Sequence, residues 1–104
     1  KTQARLFSES TMEESNQLPT EFSLQNHPNP FNPTTEINLR LPVATDWKIT
    51  IYNVAGQKIK QFNGTSETGV VTVIWDASKQ ASGIYLYKAE AGLFTDTKKM
   101  LLLK

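Results

Sequence analysis

The 104-residue sequence contains no cysteine and a single histidine, and its 10 acidic and 11 basic residues nearly balance. The absence of cysteine excludes a disulfide framework, a thiolate zinc site and a cysteine nucleophile. The formal charge of +1 argues against a nucleic-acid-binding protein, which usually concentrates basic residues. No apolar run approaches the roughly 18–20 residues of a membrane-spanning helix. We therefore expect one small domain with no metal, cofactor or transmembrane segment.

The first 21 residues are polar and carry four acidic against two basic side chains. No sustained apolar period appears there, which indicates a linker or flexible tail of an upstream protein rather than part of the domain. Two alternatives stay open: a short edge strand over residues 4–7, and a helical turn capped by Ser10 or Thr11. The domain proper is predicted over residues 22–104.

From residue 22 onward, apolar and polar residues alternate in short runs, including residues 36–41 and 47–52, which predicts strands with one buried face. About seven such runs recur at a spacing of roughly 8–12 residues, which is typical of an all-β, immunoglobulin-like sandwich of antiparallel strands. The run at residues 70–75 is apolar on both faces and is predicted to be central in a sheet. Asn63-Gly64 predicts a hairpin turn that ends the preceding strand, and Gly56 predicts another turn.

Prolines interrupt the pattern at Pro28, Pro30 and Pro33. They exclude a helix and remove three backbone donors, so we predict an extended, kinked segment at a sheet edge, where it blocks stray pairing.

No arrangement of residues indicates catalysis. His27 precedes Pro28 in the stiff segment and has no evident orienting acid, so we interpret it as a surface or edge imidazole. Phosphate-binding glycine motifs and the calcium-loop spacing are both missing from the sequence. The ten aromatic residues leave a second interpretation open: an exposed Trp47 beside Tyr52 could form a sugar-stacking platform of a carbohydrate-binding or spacer module.

The last segment places four large apolar residues, 100–103, between lysines. An ordinary final strand would show alternate apolar residues, whereas here both faces are apolar. Such a strand is predicted to be either central in a sheet or waiting for a partner strand to add against it.

Four motifs together resemble the type A C-terminal sorting domains of the type IX (Por) secretion system. They are the His-Pro-Asn-Pro-Phe-Asn-Pro-Thr-Thr segment of residues 27–35, the strand and glycine turn of 49–57, the Ser-Gly-x-Tyr-x-Tyr strand of 82–87, and the basic, apolar terminus of 98–104. His27 departs from the aromatic residue usual at its position. The hook-capping immunoglobulin-like domain of flagella has a similar layout, but the terminal motif favours the sorting domain.

The resemblance implies a non-enzymatic export signal attached to an upstream cargo, commonly an enzyme such as a hydrolase. The cargo would cross the periplasm, be recognised by the outer-membrane translocon, and reach the cell surface or medium, where a sortase typically cuts upstream of the domain. Contact with this machinery is expected from Lys98, Lys99, Met100, Leu101, Leu102, Leu103 and Lys104. The expected scaffold residues are Pro28, Asn29, Pro30, Gly56, Gly83 and Tyr85.

Overall fold

The computed structural model describes residues 21–104, which form seven strands. The predicted linker, with its strand and helix alternatives, lies almost wholly outside the described residues. The strands are β1 (Ser23–His27), β2 (Thr34–Leu41), β3 (Thr45–Asn53), β4 (Lys58–Ser66), β5 (Gly69–Asp76), β6 (Gly83–Ala91) and β7 (Phe94–Leu102).

The strands form two sheets in which every neighbouring pair is antiparallel. One sheet has the order β1-β2-β5, and the other has the order β4-β3-β6-β7. Alternate side chains of each strand point between the sheets and form one apolar core, which includes Ile37, Leu39, Ile49, Ile51, Trp75 and Tyr87. The prediction of an all-β, immunoglobulin-like sandwich is confirmed.

Phe22 lies directly before β1. The Phe22 ring stacks on that of Phe94, with centroids 4.6 Å apart and planes inclined by 10°. Phe94 is the first residue of β7, so this stack joins the beginning of the domain to the beginning of its last strand.

The prediction that residues 70–75 form a central strand is wrong. Strand β5 lies at the edge of its sheet and pairs only with β2. Val71 and Trp75 face the core, whereas Val70 and Ile74 are about half exposed on the other face. The run of β-branched residues therefore reflects their preference for extended backbone rather than burial on both faces.

The prediction of a turn at Asn63-Gly64 is also wrong, because β4 continues through both residues to Ser66. Gly64 pairs with Trp47 of β3, and the indole lies over it: a Cβ on Gly64 would come 3.0 Å from Cζ2 of Trp47. The glycine thus makes room for a large ring on the neighbouring strand instead of reversing the chain.

The predicted turn at Gly56 is confirmed. Gly56 has φ of 84°, in the left-handed region that glycine adopts without steric cost. The side-chain oxygen of Asn53 accepts hydrogen bonds from the backbone N–H groups of Ala55 and Gln57, each at 3.0 Å. These bonds satisfy the donors of the turn, so β3 and β4 are joined by a compact connection.

Candidate functional site

Strand β7 carries the residues for which sequence predicts recognition. It is the outer strand of the four-stranded sheet and pairs along its full length with β6, from Ala91 opposite Phe94 to Gly83 opposite Leu102. Met100 and Leu102 point into the core and are 2% and 0% exposed, whereas Leu103 is 51% exposed. Lys98 and Lys99 are exposed as well. In the terminal segment, Met100 and Leu102 therefore belong to the core, whereas Lys98, Lys99 and Leu103 face solvent.

The outer edge of β7 is already paired at its end with the proline-rich segment of residues 28–33, here named the proline strap. The N–H of Phe31 donates to the carbonyl of Leu101 at 2.9 Å, and the N–H of Leu103 donates to the carbonyl of Phe31 at 3.0 Å. Sequence predicted a central strand or one awaiting a partner, and this is wrong for residues 101–103. The strap connects β1 and β2 of the three-stranded sheet and contacts β7 of the other sheet, so the partner comes from within the chain.

Asn29 extends this pairing with its side chain. Its Oδ1 accepts a hydrogen bond from the N–H of Leu101 at 3.0 Å, and its Nδ2 donates to the carbonyl of Lys99 at 3.3 Å. The amide thus takes the place of a peptide group between Pro28 and Pro30, neither of which has an N–H. The Pro-Asn-Pro motif is a built contact with the last strand, beyond the edge-blocking role that sequence predicted.

The side chain of Phe31 fixes the strap to the core. It is 2% exposed, and its ring centroid lies 5.8 Å from that of Trp75. Sequence reasoning did not single out Phe31, although an aromatic residue flanked by prolines in a polar segment was the available signal.

A chain of hydrogen bonds holds the other end of the strap. The Tyr87 hydroxyl donates to Oδ1 of Asn26 at 2.9 Å, and Nδ2 of Asn26 donates to Oγ1 of Thr35 at 3.0 Å. The Thr35 hydroxyl donates to the carbonyl of Pro28, also at 3.0 Å. Both sheets contribute to this chain, so it ties the strap to the whole sandwich.

Burial raises the pKa of Tyr87 to about 12, with the nearby Asp96 carboxylate as a smaller cause. An unfolded tyrosine has a pKa near 10, so the neutral phenol stabilises the folded state fully below about pH 10. That stabilisation is lost as the pH rises from about 10 towards 12.

We expect the free energy of unfolding of the wild type to fall more steeply than that of Tyr87→Phe between roughly pH 9 and pH 11. Urea unfolding at both pH values measures the difference. Tyr52→Phe, a change on the outer face of the same sheet, serves as the control. Parallel pH profiles of the wild type and Tyr87→Phe would contradict the expectation.

Three further residues of the predicted site, Gly83, Tyr85 and Lys104, lie at the carboxyl end of β7. The hydroxyl of Tyr85 donates to the carbonyl of Ala81 at 2.7 Å, and its ring meets Trp75 edge-on at 5.3 Å. Gly83 begins β6 with φ of 149°, a value that side-chain-bearing residues rarely adopt. Both residues thus lie at the connection before β6, and the scaffold role expected for them stays a prediction.

The ammonium of Lys104 closes this end by donating to the carbonyls of Ser78 and Gln80 at 2.8 and 2.7 Å. The turn that presents these carbonyls is itself ordered by Asp76, whose carboxylate accepts the N–H of Ser78 at 2.9 Å. This backbone hydrogen bond lowers the pKa of Asp76. Lys104 is therefore engaged within the fold, whereas Lys98 and Lys99 extend into solvent.

The candidate residues for other functions do not come together. His27 is exposed on an edge strand, with Nε2 lying 3.6 Å from the Glu36 carboxylate, as expected for an edge imidazole. Trp47 packs against the core, and the alternation of β3 places Tyr52 on its opposite face, so they form no joint sugar-stacking platform. Within residues 21–104, no cluster of three potential metal ligands exists and no helix is suited to crossing a bilayer.

The fold and its site define a small immunoglobulin-like sandwich whose last strand is held in place by an internal strap. The chain belongs to the secretion-system C-terminal sorting domains: the model of this family, described as "Secretion system C-terminal sorting domain", matches residues 25–103. The system concerned is type IX. A protein with such a domain is secreted to the cell surface or the extracellular space.

One similar solved structure is that of dimeric latent PorU from Porphyromonas gingivalis, with a TM-score of 0.63 and 18% sequence identity. The match covers 77% of this chain but only 9% of that much longer chain, and at this identity it supports the fold alone. No curated protein matches the sequence.

Proposed function

We propose that this domain is a non-catalytic signal that directs an attached upstream cargo across the outer membrane through the type IX secretion system. The translocon would recognise the folded sandwich at residues 98–104. Lys98, Lys99, Leu101 and Leu103 would make the contacts, while Met100 and Leu102 hold the strand in the core.

The observation that carries this proposal is the division of the terminal segment. Its buried residues anchor it, and its remaining side chains present two lysines and a half-exposed leucine at the outer edge of a sheet. Apolar side chains beside cations at an exposed edge suit recognition by a protein surface, where a few residues supply most of the binding energy.

Processing would follow export. We propose that the cargo is an enzyme joined ahead of the domain and that a sortase cuts within residues 1–21, after which the cargo is anchored or released. This stretch is polar and precedes the seven described strands, so a cut there would leave all seven intact.

An export assay tests the recognition surface. The whole chain is fused behind a periplasmic reporter in a bacterium that has a type IX system, and the reporter outside the cell is measured. Lys99→Ser/Leu103→Ser is expected to reduce export about tenfold, because a combined loss of ~1.4 kcal/mol from two contact residues weakens binding by that factor.

Val54→Ser/Lys58→Ser is the matched control, since it also removes one exposed apolar residue and one exposed lysine, and both lie at the β3–β4 connection on the opposite side of the sheet from β7. It is expected to export like the wild type. Equal export by the two double variants, both folded by circular dichroism, would refute the recognition surface. Unchanged export without residues 21–104 would refute the sorting function itself.

A further inference from the structure

The proline strap pairs with the outer edge of β7 only from Lys99 onward, so it leaves the edge at Thr95 and Thr97 uncovered. The strap bonds to backbone groups of Lys99, Leu101 and Leu103, all of which therefore point away from β6. Strand β7 pairs with β6 without any shift of register, so alternation also turns the N–H and C=O of Thr95 and Thr97 outward.

Resting on the proposed function, we infer that residues 95–99 are a strand-addition site for an extended segment of the secretion machinery that carries acidic side chains. Five backbone groups are available there: both groups of Thr95, both groups of Thr97 and the N–H of Lys99. None of them has a hydrogen-bond partner within residues 21–104. A strand of about five residues that pairs with them would extend the four-stranded sheet.

The charges around the open edge define the chemistry of the incoming strand. Lys98 and Lys99 lie on β7 itself, Lys88 lies opposite Thr97, and none of the three forms an ion pair in the described part of the chain. Asp96 is the only carboxylate on β7, and Glu90 of β6 is already paired with a lysine on β3. Positive charge therefore exceeds negative charge around the open edge, so cross-strand attraction favours a partner with Asp or Glu.

The proline strap sets the limit of the site. It occupies the position of the next strand beside residues 101–103, so an added strand must end where the Asn29 side chain begins. The strap therefore fixes the register of addition and confines it to residues 95–99. Unrestricted edge-to-edge growth is blocked in the same way, as is usual for exposed sheet edges.

The substitution Thr97→Pro tests strand addition while leaving the hydrogen bonds of the folded sheet intact. It removes an N–H that no bond within the sheet uses, and proline is tolerated at such outward positions of edge strands. In the fused chain, we expect Thr97→Pro to lower export at least about tenfold, because the central backbone bond is lost and the ring obstructs the incoming strand. Thr97→Ala retains the N–H and is the matched comparison, so it is expected to export several-fold better than Thr97→Pro.

Comparable export by folded Thr97→Pro and Thr97→Ala would overturn the inference. The proposed function fails only if the reporter is exported without residues 21–104, so the two failures are distinguishable. If Thr97→Pro does not fold, the charge-reversed variant Lys98→Glu/Lys99→Glu is compared with Lys98→Arg/Lys99→Arg, which keeps the charge. Equal export by the two variants overturns the inference, and lower export by the charge-reversed variant supports it. Light scattering of the purified chain tests whether a second copy of the chain pairs with residues 95–99 instead. A dimer that Thr97→Pro converts to a monomer would overturn the inference of an acidic partner segment.

Discussion

Removal of residues 100–104 is expected to abolish cooperative unfolding of the domain. Met100 and Leu102 are almost completely buried, and truncation of such a side chain to alanine already lowers stability by about 2–5 kcal/mol. The deletion also removes the backbone partner of Phe31 at Leu101. Since small domains are stable by only about 5–15 kcal/mol in total, these losses together are expected to exceed the stability available.

Thermal denaturation followed by circular dichroism measures this effect. Lys99→Ser/Leu103→Ser is the matched control, because it changes the same segment but leaves both buried side chains in place, and it should retain a sharp transition. A truncated chain that still melts cooperatively within a few degrees of the wild type would contradict the expected loss. If the loss is observed, failed export of a truncated fusion says nothing about recognition, which must be tested with surface substitutions.

Phe31→Ala is expected to lower the free energy of unfolding by about 3–5 kcal/mol, the range for truncation of a buried phenylalanine. The reason is packing: the ring lies in the core against Trp75. The strap would lose its anchor, so the amides of Leu101 and Leu103 should also exchange with solvent much faster. Urea unfolding gives the first quantity and hydrogen exchange gives the second.

Phe62→Ala provides the comparison, because Phe62 is only partly buried at the margin of the same core. A loss of about 1–2 kcal/mol is expected there, since less apolar area leaves water on folding. If Phe31→Ala costs no more than Phe62→Ala and leaves exchange at Leu101 unchanged, the strap is not held by the Phe31 ring.

Local patterns in the sequence were sufficient for much of the fold. Alternation at residues 36–41 and 47–52 predicted strands with the correct buried faces, and the turn followed from the glycine of the Asn-Val-Ala-Gly-Gln segment at residues 53–57. These predictions succeed because strand periodicity and turn chemistry depend on near neighbours in the chain.

Features that depend on distant residues were not accessible in this way. Whether residues 70–75 lie at the centre or the edge of a sheet is decided by strand order, which their own side chains do not encode. Gly64 is explained only by the indole that lies over it, from a residue 17 positions earlier. The pairing of Asn29 with Leu101 spans 72 positions, so the sequence could predict a last strand but not its internal partner.

The stack of Phe22 on Phe94 has a consequence for the geometry of transport. It places Phe22 at the pole of the sandwich where β7 starts, and the nine residues of extended chain in Phe94–Leu102 lead from that pole to the opposite one. At about 3.3 Å per residue, the separation is roughly 25–30 Å. Under the proposed function, the cargo would leave the sandwich at the Phe22 pole. A receptor on residues 101–103 would then bind at the opposite pole, away from the cargo, whereas a strand added at residues 95–99 would lie beside it.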